Sequence, residues 1–311
     1  MSPNGANEAI WVAGEALIDL IPTQRLGENR IPIVGGGPAN SARALSRLGM
    51  NAYFIDGIST SEYGEMAKQV LLSDGVNLDH ANFSDAPAGT AKVSLDANGG
   101  ASYIFTLEGT ATFNFNRSWL PEPSAGNPAA LLLGTLGLLV EPGATELFEW
   151  SKSVAKFAPI ILDPNIRSSV LSDRADYQEI VDKWVAISQV VKVSEDDIAW
   201  LYPALSQGEV AELWLNAGVK LVVITLGANG ITAFTREGGV SVPGVKVEVV
   251  DTVGAGDTVG AIITEAVVKD GLAHLHGELL KSALTRAAAA AAITCSRVGA
   301  QPPFASELTV G

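Results

Sequence analysis

Strand-length runs of valine, isoleucine and leucine recur along this chain with segments of helical period between them, and no other feature limits the fold as tightly. The clearest are AIWVAG, AYFIDG, ALLLGTLG, PIILD, QVVKVS, KLVVITLG and VKVEVVD. Such alternation builds a mostly parallel sheet with crossover helices on its faces, so the expected class is α/β. The intervening helices carry their own start and stop signals. In GPANSARALSRLG, Pro38 suits a first turn and Gly49 a C-terminal cap, and SEYGEMAKQVLLSDG, TELFEWSKSVAKFA and GEVAELWLNAG follow the same period.

Two insertions break that rhythm, at about residues 16–34 and 87–118. The second reads as a hairpin, TAKVSL and SYIFTL around the turn-former DANGG; the first offers a shorter pair, LIDLIP and RIPIV. Inserted strands of this kind are expected to form a small lid over the crevice at the carboxyl ends of the main strands, where open α/β sheets bind ligands. Exposed apolar lid residues, Ile104 and Leu107 among them, point to a homodimer in which each lid covers its partner.

Composition narrows the partners. Among the 311 residues, 34 acids against 20 lysines and arginines leave a formal net charge of -14, which repels phosphate polymers and anionic lipid and disfavours nucleic acid and membrane surfaces. The apolar stretch PAALLLGTLGLLVEPG is too short to span a bilayer. One cysteine, Cys295, and an N-terminal stretch with neither a basic nor an apolar signal region favour the cytoplasm. Cys295 lies in an alanine-rich helix and is expected in the core, as are Trp150, Trp184 and Trp214. The three histidines, His80, His274 and His276, lack the further ligands a metal site needs.

The chemistry centres on DTVGAGDTVG, residues 251–260, read as a strand end, a bare glycine turn and a helix N-terminus. Unpaired amides and the positive end of the helix dipole favour an anion there, while Asp257 in that first turn also suits an ordinary N-cap. No GxxxxGK[ST] P-loop and no dinucleotide-type G-x-G-x-x-G after a strand are present. GGGPAN, residues 35–40, adds three glycines that admit close backbone approach and an asparagine amide that both donates and accepts.

DTVGAGD resembles the C-terminal signature of the ribokinase-like (PfkB-type) carbohydrate kinases, and GGGPAN resembles their N-terminal one. The resemblance runs in order from GEALIDL to RVGAQPPF and is strongest to the fructokinase-type members. It implies a three-layer sandwich with a central mostly parallel sheet and a small β-sheet lid. It places Gly254, Ala255 and Gly256 around the transferring phosphoryl group, with Asp257 as catalytic base, and it puts Gly36, Gly37, Asn40 and Asp19 on the sugar hydroxyls. Arg167, in DPNIR, falls at the sugar and phosphate end. KVSEDD resembles the K-x-[NS]-x-x-E segment, so Lys192 and Ser194 fall at the phosphates and Asp197 at Mg²⁺ through water, with an aspartate where relatives carry glutamate. Thr225, Gly227 and Gly230 would line the ATP site, and carbonyls of Asp251 and Val253, with RVGAQPPF, a monovalent cation such as K⁺. Val259 stands where relatives carry an aromatic residue, a departure that touches packing.

The implied activity is transfer of the γ-phosphate of ATP to a primary hydroxyl. Residues 87–118 hold only Lys92 and Arg117 as bases and offer Glu108, so a neutral sugar fits, fructose first; 2-keto-3-deoxygluconate, ribose and a nucleoside are the alternatives. A sugar-binding regulator without turnover is the non-enzyme alternative, against which the intact Asp257 speaks.

Overall fold

Each central strand alternates its side chains between two buried faces, and that alternation gives the molecule its layers. In β1 (Ala9–Ala13), Ile10 and Val12 belong to one apolar core while Trp11 and Ala13 belong to the other. The first core is closed by α1 (Gly37–Arg47), α2 (Glu62–Ser73), α8 (Ala255–Ala266) and α9 (Gly277–Cys295). The second is closed by α4 (Gly143–Val154), α5 (Arg174–Val185), α6 (Glu195–Leu201) and α7 (Gln207–Ala217), with the one-turn α3 (Pro123–Gly126) at its edge. Trp150, Trp184 and Trp214 are each buried in this second core, as the sequence requires. The computed structural model describes residues 8–22, 30–95 and 101–308, so the expected DANGG turn and residues 23–29 of the first insertion lie outside the described residues.

Further strands complete the main sheet: β4 (Asn51–Ile55), β9 (Ala130–Gly134), β10 (Ile160–Asp163), β11 (Val190–Ser194), β12 (Leu221–Thr225), β13 (Ile231–Thr235) and β14 (Gly238–Val242). Their order is β14-β13-β12-β11-β10-β9-β1-β4, parallel from β4 to β12, with β13 and β14 antiparallel at one edge. The chain moves one way from β1 to β4 and the other way from β9 onward, with α1 and α4 on opposite faces. The switch point, where a crevice must open, is therefore at β1 and β9.

Both insertions join into one four-stranded sheet, ordered β3-β2-β7-β8, from β2 (Leu17–Pro22), β3 (Arg30–Gly35), β7 (Thr90–Leu95) and β8 (Ala101–Thr106). Register places Ile33, Asp19, Ala91 and Phe105 opposite one another on the face that carries the site, and Ile104 opposite Lys92 on the other face. Ile104 is exposed as expected, whereas Leu107 is half-buried against the second core. A short pair, β5 (Gly57–Ser59) and β6 (Asn82–Ser84), extends beyond β4.

Two expectations fail. VKVEVVD is not a strand: Val245, Val247 and Val249 alternate, but among the described residues no strand pairs with them, and all three border a cavity. Cys295 is not a core residue; it ends α9 half-exposed, on the wall of that same cavity. Among the described residues no helix is long and apolar enough to cross a membrane.

Candidate active site

The crevice is built from the segments that follow β1, β9 and β10 and from the N-terminal ends of α1 and α8. Gly254 takes a left-handed φ of 79°, which turns the chain into α8; the Ala255 amide donates to the Thr252 carbonyl at 3.3 Å, and the amides after it in the first turn have no intrahelical acceptor. A Cβ at this position would stand 2.6 Å from that of Ala300. Gly254→Ala is therefore expected to lose more than about 1 kcal/mol of stability, read in denaturant unfolding, and to lower turnover as the amides shift.

Asp257 does not cap α8. Its carboxylate turns away from the helix backbone, and Oδ2 accepts a hydrogen bond from Asn40 Nδ2 at 2.9 Å across 217 residues of sequence. Asp257 Oδ1 lies close to Gly37, where a Cβ would approach it to 3.2 Å and would meet Thr135 Oγ1 at 2.9 Å. Both Asp257 and Asn40 are buried, and Asn40 Oδ1 has no partner among the described residues. Burial raises the Asp257 pKa, against the opposing pull of Lys192, Asn40 and Arg167, so the carboxylate is a stronger base than a solvated one.

Two cavities meet beside this residue. One, of about 410 Å³, is lined by Asp19, Gly36, Gly37, Asn40, Arg167 and Asp257, with Phe105 from the lid and Glu15 among its other walls. The second, of about 580 Å³, is apolar and lies between Thr225, Gly227 and Gly230 on one side and small residues of α9, Ala288, Ala291 and Ala292, on the other. Thr252 and Gly256 belong to both walls. Of the residues singled out in the sequence, the structure thus gathers Asp19, Gly36, Gly37, Asn40, Arg167, Lys192, Val253, Gly254 and Asp257 on the first cavity, and Thr225, Gly227, Gly230 and Ala255 on the second.

Arg167 acts on the first cavity through its charge. Its Nη1 donates to the carbonyls of Asn165 and Ile166 and to Asn165 Oδ1, which folds the side chain over its own loop. From there the guanidinium opposes the burial that raises Glu15 to about 8 and Asp19 to about 6. Both folded-state values lie above the unfolded ones, so the folded chain holds these protons more tightly. The associated stability is complete below about pH 4 and is lost as pH rises through 6 and then 8. Unliganded protein should accordingly melt at a lower temperature near pH 8.5 than near pH 5.5, which calorimetry across that range checks.

Lys192, projecting from β11, makes a buried ion pair with Asp163 at 2.8 Å. Burial works against its charge, yet the Asp163, Asp257 and Asp197 carboxylates together hold its pKa above the ordinary value. A Cβ on Gly256 would stand 2.9 Å from its Nζ, so the ammonium lies directly under the junction of the cavities. Ser194 and Asp197 lie further back. They form a reciprocal capping box at the start of α6, and Asp197 Oδ1 also accepts the Ile166 amide at 3.1 Å, which ties α6 to the Arg167 loop. Asp251 accepts from the amides of Val253 and Gly299 and so joins the glycine turn to RVGAQPPF. Among the described residues no group of three or more His, Cys, Asp or Glu side chains is placed to hold a metal.

Several contributors carried no signal in the sequence. Thr135 has a φ of 59°, rare for a β-branched residue, and holds its hydroxyl 3.4 Å from Asn165 Nδ2. Arg43 and Arg47 on α1 share Asp74 and donate to the carbonyls of Ala300 and Pro302, clamping RVGAQPPF against the turn. Their type alone reads as solvated surface, and only the fold shows Arg43 to be buried.

Known proteins resemble this chain over most of its length. The pfkB family carbohydrate kinase model matches residues 7–307. A fructokinase from Rhizobium leguminosarum bv. trifolii is 37% identical over 265 residues, covering 85% of this chain and 81% of its own. The crystal structure of a fructokinase from Xylella fastidiosa with bound ATP superposes with a TM-score of 0.88 at 25% identity, covering 96% of both chains. A double-mutant fructokinase from Vibrio cholerae O395, in a fructose, ADP and potassium ion bound form, superposes with a TM-score of 0.80 at 25% identity and 94% coverage of both chains.

Proposed function

The chain belongs to the pfkB family of carbohydrate kinases, and from that premise we propose that it is a cytoplasmic fructokinase, passing the γ-phosphate of ATP to a primary hydroxyl of fructose. The observation that carries this reading is the junction itself: an apolar cavity suited to a nucleotide base and a carboxylate-lined one suited to a polyol share the wall formed by Thr252 and Gly256, with the buried base Asp257 beside it. The Asp19 and Asp257 carboxylates oppose a carboxylated sugar, which favours a neutral one over 2-keto-3-deoxygluconate.

In this reading the sugar binds between Asp19, Asn40 and Asp257, so that its attacking hydroxyl donates to the Asp257 carboxylate as the bond to phosphorus forms. The amides of the Gly254–Gly256 turn and the Lys192 ammonium hold the charge that spreads over the phosphoryl oxygens. Mg²⁺ carried in on ATP neutralises phosphate charge when bound and draws most of its ligands from phosphate and water. Asp163, whose Oδ1 is buried without a partner among the described residues, is the carboxylate that would reach it, with Asp197 behind it acting through water, and carbonyls of Asp251 and Val253 would hold K⁺. ADP release measured with fructose, ribose, 2-keto-3-deoxygluconate and adenosine tests the assignment. Fructose should give the highest kcat/KM; a higher value for any of the others would replace it.

A second copy of the chain is part of the same reading. Ile31 and Ile33 leave 54% and 38% of their surface exposed on the lid face that carries Asp19, an apolar patch that a partner's lid would cover. Sedimentation should find a dimer for the native chain and a monomer for Ile31→Glu; a monomeric native chain would remove this part.

A further inference from the structure

Glu15 lines the sugar cavity, and no role in holding the sugar has been given to it above. It lies in the turn between β1 and β2, 1% exposed, and its Oε2 accepts the Gly137 amide at 3.3 Å. Its Oε1 is buried and has no partner among the described residues. Another buried acid nearby behaves differently: Asp56, fully buried, accepts the Ala16 amide through Oδ2 and the Phe113 amide through Oδ1, as a carboxylate kept for structure should. Among the described residues, the buried side-chain atoms without a partner that belong to this cavity's lining are Glu15 Oε1 and Asn40 Oδ1.

We propose that Glu15 is a specificity-determining residue of the sugar site, its Oε1 taking a ring hydroxyl at the floor of the cavity and so fixing which hydroxyl is left facing Asp257. This rests on the sugar-site reading above. Burial, opposed by the Gly137 amide and Arg167, holds the Glu15 carboxyl up at about 8, so near neutral pH its main form is the uncharged acid, which both donates and accepts. A hydroxyl does the same, and the two are matched. Glu15 lines the same cavity as Asp19 on the lid strand β2, so a bound ring can be held by both acids.

The test compares native enzyme, Glu15→Gln and Glu15→Ala on fructose and on a set of deoxyfructoses, each lacking one hydroxyl, with melting temperatures measured alongside. Glu15→Ala should raise KM for fructose roughly tenfold or more, with KM for ATP changed less than about twofold, and Glu15→Gln, which keeps a donor and an acceptor, should recover most of that loss. For one deoxyfructose the difference between native enzyme and Glu15→Ala should vanish, because the hydroxyl they compete over is gone. An equal penalty on every analogue, or a lower melting temperature with unchanged KM for fructose, would overturn the inference; if Glu15→Ala does not fold, Glu15→Gln across the same analogues decides alone. Native enzyme that turns over no sugar is a separate result, visible before any variant is made, and it removes the sugar-site reading together with this inference.

Discussion

Asp257→Asn should lower kcat by about two to four orders of magnitude, the usual contribution of a positioned general base. The amide keeps the shape of the carboxylate and presents an oxygen to Asn40 Nδ2, so the junction stays assembled while the site loses its proton acceptor. Because burial already disfavours the charged form of Asp257, removing that charge should leave the melting temperature unchanged or raise it. The loss must therefore appear as turnover and not as unfolding. The pH profile adds a sign: activity of the native enzyme should fall as pH drops through the raised Asp257 pKa, above the usual carboxylate range, and that limb should be absent from the residual activity of the variant. Near-native turnover would take the role of base away from Asp257.

Lys192→Met should have the largest effect on stability, a loss of about 3–5 kcal/mol, because it leaves the Asp163 carboxylate buried without its counter-charge. The pair is 5% and 11% exposed in its side chains, too deep for water to replace the ammonium. Asp163→Asn in the Lys192→Met background should recover much of the loss, since the stranded charge is then gone. Turnover should not recover with it, because Lys192 also stands against Gly256, where the phosphoryl group would pass. Denaturant unfolding and steady-state kinetics on the two variants separate these effects; additive losses in stability would show that the pair is not coupled.

The fold was readable where periodicity and burial coincide. AIWVA and ALLLG are apolar throughout because both faces of β1 and β9 are covered, and Pro38 starts α1 as its fixed φ favours. VKVEVVD misled because an alternating pattern shows which side chains could share a face without showing that a neighbouring strand exists; here three of the valines border the nucleotide-sized cavity. ITAFT and GGVSV, which form β13 and β14, are short and set among glycines, so their pairing was hidden. At the site, the glycine signatures located both cavity walls. Glu15 escaped notice because its importance depends on burial against Gly137, 122 residues away, and a glutamate beside a glycine looks the same whether buried or solvated. The bond between Asn40 and Asp257 is likewise a product of α1 packing on α8.

In the proposed function, phosphoryl transfer crosses the wall shared by the two cavities. A crystal structure with fructose and a non-hydrolysable ATP analogue tests it most directly. The terminal phosphate should lie on the amides of Gly254–Gly256, and a primary hydroxyl of the sugar within hydrogen-bond reach of Asp257. A triphosphate directed away from Gly256, or a sugar bound outside the cavity of Asp19, Asn40 and Asp257, would contradict it.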